Sequence, residues 1–284
     1  MTDKGEEQMI KKTVYGLLAG AAVIFIVLCL PPYVVNVILM AIAIGGIYEF
    51  IQAMAKANFN PMKVIPYASC VLLLFINSEN SILMYKFSFS IIALSILGML
   101  IYALFLTKRT LVDVCLSVFA MLYIPFLLSF VLMTFYLEDV GKSAIWLIIL
   151  GACLTDAFAY FVGSKIGKHK LCPSISPHKT IEGSIGGIVG NCVSFLIYAW
   201  YLNNYVGFGI EYWKMAIFAV VVAVFAEIGD LVASSIKRFV KTKDFGSILP
   251  EHGGILDRID SVLFVAPVVY YCLLLFSDFF VKIG

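Results

Sequence analysis

Apolar runs of about 20 residues recur along the whole chain, and a run of that length is what a helix needs to cross a bilayer's hydrocarbon core. Nine are readable, at approximately 13–30, 33–55, 64–77, 83–106, 114–137, 143–163, 184–202, 214–233 and 261–281. They are continuous rather than alternating in polarity, which favours helices over a β-barrel. The third is short and contains Pro66, so a re-entrant segment is the alternative to a full span there. Of the 284 residues 62% are hydrophobic and only 13% charged. A soluble domain carries about 25% charged residues, so disordered chains, secreted disulfide scaffolds and ordinary cytosolic enzymes are excluded. The expected fold is all-α, a polytopic integral membrane protein of about nine transmembrane helices.

Lys and Arg set the orientation, because cytoplasmic connections carry their excess. With the N-terminus inside, sixteen of the twenty fall in cytoplasmic segments, and Lys86, Lys142, Lys214 and Lys282 fall one by one on the other side. This predicts N-in, C-out. It also divides the chain into residues 1–140, with about five spans and short linkers, and a catalytic region 141–284. The catalytic region contains two longer cytoplasmic loops, 164–183 and 234–260, which hold all three histidines. None of the seven cysteines forms a CxxC pair, so they read as small packing residues. Gly16–Gly20 and Gly186–Gly190 have the spacing that lets helix backbones approach closely, and packing within the bundle is the simpler reading of both.

Four carboxylates interrupt apolar runs: Glu49, Asp156, Glu227 and Asp230. A charge at bilayer depth is costly, so each needs a partner or a task. Glu49 is close to the end of its run and equally suits snorkelling or pairing with a nearby Lys. On a helix, Glu227, Asp230, Ser234 and Lys237 form one polar stripe leading into the loop 234–260. That loop interleaves five cations with four carboxylates, then sets Asp257 and Asp260 just after Gly253-Gly254. Paired carboxylates beside clustered Lys and Arg suit a Mg²⁺–polyphosphate site, where hard oxygens hold the ion and cations clamp the remaining phosphate oxygens. A basic connection lying against anionic headgroups would need the cations but not Asp244, Asp257 and Asp260. The loop 164–183 carries Lys165, Lys168, His169, Lys170, His178 and Lys179, and Pro173 and Pro177 forbid a continuous helix through it. Phosphate or headgroup contact is the expectation for both of its histidines. These loops lack the aromatic interleaving of a nucleic-acid groove, so no nucleic-acid partner is expected.

Residues 234–260 read S-x-I-K-R-x4-K-D-x-G-x2-L-P-x-H-G-G-I-x-D-R-I-D, which resembles the signature of phosphatidate cytidylyltransferases at every defined position. Ile175–Gly187 (ISPHKTIEGSIGG) and Asp156 with Ala159-Tyr160 and Gly163 are similar to that family as well. Ala157 departs from it, since a Thr or Ser commonly follows that aspartate. The resemblance implies an enzyme that condenses CTP with phosphatidic acid, giving CDP-diacylglycerol and pyrophosphate with Mg²⁺, with room for a second metal ion. It also implies a helical membrane fold, often dimeric, with essential carboxylates at the positions of Asp230, Asp257 and Asp260. On this basis Asp230 and Asp257 are the first metal ligands, supported by Asp156 and Asp260. Lys237 and Arg258 join Asp230, Asp257 and Asp260 as catalytic groups. Lys168, Lys179, Ser234, Arg238, Lys243 and His252 are assigned to substrate. The implied setting is a bacterial cell membrane, with the site facing the cytoplasm and surrounded by membrane lipid. The rivals are a secondary transporter with proton- or Na⁺-carrying carboxylates and a membrane kinase acting on a lipid alcohol.

Overall fold

The computed structural model describes residues 31–76, 81–106, 109–246, 253–276 and 280. The elements are α1 (Pro32–Lys56), α2 (Val64–Ile76), α3 (Ser81–Leu106), α4 (Leu111–Met121), α5 (Leu127–Phe135), α6 (Gly141–Ile166), β1 (Lys170–Cys172), β2 (Ser176–Thr180), α7 (Ile181–Tyr201), α8 (Tyr212–Phe239) and α9 (Leu256–Leu275). A π-helical turn, Leu122–Phe126, containing Pro125, joins α4 to α5 without breaking the rod. A second, Leu202–Val206, extends α7. Among the described residues seven helices are long and apolar enough to cross a membrane. The run at 13–30 lies outside them. The short run is α2, whose 13 residues reach about 20 Å at 1.5 Å per residue, less than the ~30 Å hydrocarbon core.

Small residues set the helix spacing. A Cβ on Gly183 would stand 2.7 Å from the Ala159 carbonyl oxygen, and one on Gly187 2.9 Å from that of Thr155, so α7 lies directly on α6. Gly186 and Gly190 seat Val162 and Phe158 of α6 in the same way, which makes this motif a seam inside the chain. Its counterpart at Gly16–Gly20 lies outside the described residues. At the centre, Gly151 of α6 admits Val222 of α8, Phe195 of α7 and Val265 of α9, four helices meeting in one buried layer. By contrast α3 leaves Phe87, Phe89, Leu94, Leu104 and Phe105 exposed, as a helix bathed in hydrocarbon would.

The two connections differ from the loops expected at 164–183 and 234–260. Helix α8 continues two turns past the apolar run, carrying Ser234, Lys237 and Arg238, because nothing in SSIKRF breaks a helix. It stops in a Schellman motif: Thr242 N–H donates to the Lys237 carbonyl at 2.9 Å, and Lys241 N–H to that of Arg238 at 3.0 Å. Lys241 takes the left-handed conformation (φ 55°) that such an ending requires. Asp257, Arg258 and Asp260 then occupy the first turns of α9. The other connection is an ordered antiparallel hairpin, β1 pairing with β2, rather than an irregular crossing. Pro173 falls in its turn and Pro177 in its second strand.

Candidate active site

The hairpin, the inner faces of α6, α7 and α8, and the start of α9 enclose a cavity of about 610 Å³. Asp156, Glu227, Asp230, Asp257 and Asp260 line it, together with Lys170, His178 and Lys179. Glu227 and Asp230 of the α8 stripe and the Asp257–Asp260 pair therefore do converge, and α6 adds Asp156 to the same cavity.

Thr180 caps α7 by accepting from Gly183 N–H at 3.1 Å, and its hydroxyl fits only because Gly163 and Gly167 of the adjoining segment present no side chain to it. This fixes the strand that carries Lys179, whose ammonium reaches Asp230 Oδ2 at 2.7 Å. Glu182, in the first turn of α7, gathers the other end of the hairpin. It accepts the backbone N–H of Lys168 at 3.0 Å and binds the ring Nδ1 of His169 at 2.6 Å. His169 is thus engaged by a carboxylate rather than waiting for phosphate, while His178 faces the cavity.

Lys237 is buried and places its ammonium 2.7 Å from Asp257 Oδ1. Asp257 Oδ2 accepts from Phe245 N–H at 3.0 Å and Gly254 N–H at 3.1 Å. Both oxygens of this predicted metal ligand are therefore engaged, and the carboxylate draws Phe245 and Gly254 together as well as facing the cavity. Asp260 is buried and accepts from Ser261 N–H at 2.8 Å, while the Ser261 hydroxyl donates to Asp156 Oδ2 at 3.0 Å. Ser234 makes only a long contact, 3.5 Å, to Asp230 Oδ1.

Not every predicted contact lies on the cavity wall. Lys168 is exposed on the outer rim, where Lys170 takes the inward place. Arg238 is exposed and ties α8 to the hairpin turn by donating to the Ile175 carbonyl at 3.2 Å. Lys243 and Arg258 are exposed and do not line the cavity. His252 lies outside the described residues.

Two acidic groups matter more than the sequence indicates. Glu227 receives a hydrogen bond from the Ser184 hydroxyl, while its other oxygen, Oε1, is buried with no hydrogen-bond partner among the described residues. Its place in the polar stripe of α8 was the available signal. Glu49 of α1 is buried and pairs with no Lys among the described residues: it accepts from Leu256 N–H at 2.9 Å, capping α9 from another part of the bundle. No sequence signal links those two residues.

Among the described residues no three carboxylate, imidazole or thiol side chains form a closed metal cage. The donor set nonetheless fits Mg²⁺, which binds through one or two carboxylates while keeping waters and taking substrate phosphate oxygens. Hard oxygens of Asp156, Asp230 and Asp260 face one space, Lys179 can exchange its Asp230 carboxylate for a phosphate, and Lys170 lines the same cavity.

The chain is 45% identical over 141 residues to the phosphatidate cytidylyltransferase of Bacillus subtilis, covering 50% of this chain and 51% of that protein. It is 39% identical over 152 residues to that of Thermotoga maritima, covering 53% and 56%, and 43% identical over 129 residues to that of Staphylococcus saprophyticus, covering 45% and 48%. The chain thus spans about half the length of the curated relatives it matches. The sequence model of the cytidylyltransferase family matches residues 11–276, nearly the whole chain, and with that match the chain belongs to the cytidylyltransferase family.

Proposed function

We propose that this chain transfers a cytidylyl group from CTP to phosphatidic acid, giving CDP-diacylglycerol and pyrophosphate. The observation that carries the proposal is the cavity in which five carboxylates meet Lys170, Lys179 and His178. Family membership and relatives bearing that name support the same reading.

The chemistry asks little proton transfer of the protein. A phosphate monoester has its second pKa near 6, so at neutral pH it is largely dianionic and already nucleophilic. A phosphatidate oxygen attacks the CTP α-phosphorus, the bond from that phosphorus to the bridging oxygen breaks, and pyrophosphate leaves with the electron pair. The barrier lies in bringing two polyanions together and in the charge accumulating on the leaving group. Lys179 and Lys170 are placed to neutralise phosphate oxygens, and Lys237 holds Asp257 and the loop beside them. Asp230, Asp156 and Asp260 would hold Mg²⁺, with Asp257 at their edge. Such an ion would supply Lewis-acid stabilisation of phosphate charge.

The reading also covers nine spans, with the short α2 counted as the third, N-in and C-out, with the cavity open to the cytoplasm. The helix ends that meet at the cavity support it. Phe59, following α1, stacks on Phe239 at 5.6 Å, and Arg109 donates to the Asn60 carbonyl at 2.7 Å, which gathers several Lys- and Arg-bearing connections at one end of the bundle. Thiol labelling of Gly284→Cys from outside intact cells, in a cysteine-free background, checks the orientation; labelling only after permeabilisation overturns it. For the activity, the full chain in phosphatidate-containing vesicles should release pyrophosphate only when CTP, phosphatidate and Mg²⁺ are all present. Release without phosphatidate, or phosphate transfer to diacylglycerol, would refute the assignment.

A further inference from the structure

Glu49 is 1% exposed, within α1 and far in sequence from every residue of the cavity. Its carboxylate accepts from Leu256 N–H at 2.9 Å, at the first residue of α9. A helix N-terminus offers unpaired N–H groups and a partial positive charge, so a buried carboxylate there is strongly favoured. Gly246 and Gly254 approach the same carboxylate so closely that a Cβ on either would overlap it. Those two glycines flank the donors that hold Asp257: Phe245 N–H precedes Gly246, and Gly254 supplies the other N–H. Asp257 in turn holds the Lys237 ammonium.

From this chain of contacts we infer that Glu49 is a positioning residue for the reaction: it seats the start of α9 and the backbone at Gly246 and Gly254, and thereby sets where Asp257 and Lys237 stand. The inference rests on the proposed function for its kinetic consequence, but its structural half does not.

The test uses the full chain in lipid vesicles, with Glu49→Gln, Glu49→Ala, Gly254→Ala and Asp257→Asn. Glu49→Gln retains an acceptor oxygen and nearly the same volume but removes the charge from the helix terminus. Partners that orient a site from behind typically contribute about 10–100-fold to activity. The expected result for Glu49→Gln is a fall in kcat within that range, with KM for CTP changed less than about twofold. Glu49→Ala and Gly254→Ala should fall further. Combined with Asp257→Asn, Glu49→Gln should add almost nothing, because both act through one carboxylate. Multiplicative losses in the double variant overturn the inference, since they describe a general loss of packing.

Amide hydrogen exchange provides a readout free of catalysis. In Glu49→Gln the amides of Phe245, Gly254 and Leu256 should exchange faster, by about tenfold or more, while those of α6 and α7 keep their protection. Unchanged exchange at Phe245 and Gly254 overturns the inference whatever the activity. If the unaltered chain releases no pyrophosphate, the proposed function fails and this measurement still decides the role of Glu49.

Discussion

Lys237 and Asp257 stand 2.7 Å apart with both side chains almost wholly buried, and their contact joins the last turn of α8 to the first turn of α9. Removing one partner of such a pair leaves an uncompensated charge, at a cost of about 3–5 kcal/mol. Asp257→Asn is therefore expected to do two things, destabilise the protein and cut turnover more than tenfold. The double variant Asp257→Asn/Lys237→Met separates them, because it removes both charges at similar volume. Thermal unfolding in detergent should recover in the double variant, while pyrophosphate release stays more than tenfold down, equivalent to about 1.4 kcal/mol of barrier. Recovered turnover would make the pair a structural bolt with no part in catalysis.

Asp230 also lines the cavity and shares its charge with Lys179 at 2.7 Å. Asp230→Asn keeps the shape of the side chain and removes the anion that would hold Mg²⁺. The expected signature is a Mg²⁺ requirement shifted to at least about tenfold higher concentration, together with reduced kcat. Chelation should silence the unaltered protein reversibly. An Asp230→Asn enzyme with an unchanged Mg²⁺ midpoint would remove Asp230 from the ligand set.

These two contacts mark what could be read in the sequence. The apolar runs fix where the helices lie, and the polar stripe on α8 places Glu227 and Asp230 on one face, because both follow from local periodicity. The helix ends were harder to read: SSIKRF is too polar for a span yet remains helical, since Ser234 and Lys237 are buried beside Asp230 and Asp257 and the Schellman ending lies beyond it. Glu49 with Leu256 and Glu182 with His169 were not legible at all. Each is set by how helices cross or how a hairpin folds back, and nothing in the intervening residues encodes the distance. Glu49 lies outside the region 141–284 that the sequence marks for chemistry, and only the crossing of α1 with α9 brings it to Leu256.

Gly187 links helix packing to the site. A Cβ there would stand 2.9 Å from the Thr155 carbonyl oxygen and 3.1 Å from Glu227 Oε1. The first neighbour is backbone and cannot turn aside, so Gly187→Ala should push α7 away from α6. Overpacking of this kind costs about 1–3 kcal/mol. Thermal unfolding should show a loss of that order, and activity should fall because Glu227 and Asp156 flank the strained contact. Gly98→Ala is the control, since its nearest neighbour is a flexible Ile65 side-chain tip at 3.9 Å. Equal effects of the two substitutions would contradict close packing at this seam.

The last prediction concerns whether the transfer takes one displacement or two. The two loops hold no nucleophile–base–orienter grouping in the sequence, which favours direct attack by phosphatidate on the CTP α-phosphorus. The folded protein adds one pairing to consider, because the Ser184 hydroxyl donates to Glu227 beside the cavity. A serine held by a carboxylate could in principle accept a cytidylyl group before the lipid does. Two features argue against that route. Phosphatidate needs no activation at neutral pH, and Ser184 lies in the first turn of α7, where Gly183 and Gly187 on either side are pressed against α6. CTP made chiral with sulfur at the α-phosphate should therefore yield CDP-diacylglycerol of inverted configuration, the outcome of a single displacement. Labelled pyrophosphate should not exchange into CTP in the absence of lipid, because no half-reaction exists without the acceptor. Ser184→Ala should retain turnover to within about tenfold, the loss coming from a loosened Glu227 rather than from a missing nucleophile. Retention of configuration, accompanied by abolished turnover in Ser184→Ala, would establish a covalent intermediate on Ser184 and assign Glu227 as its base.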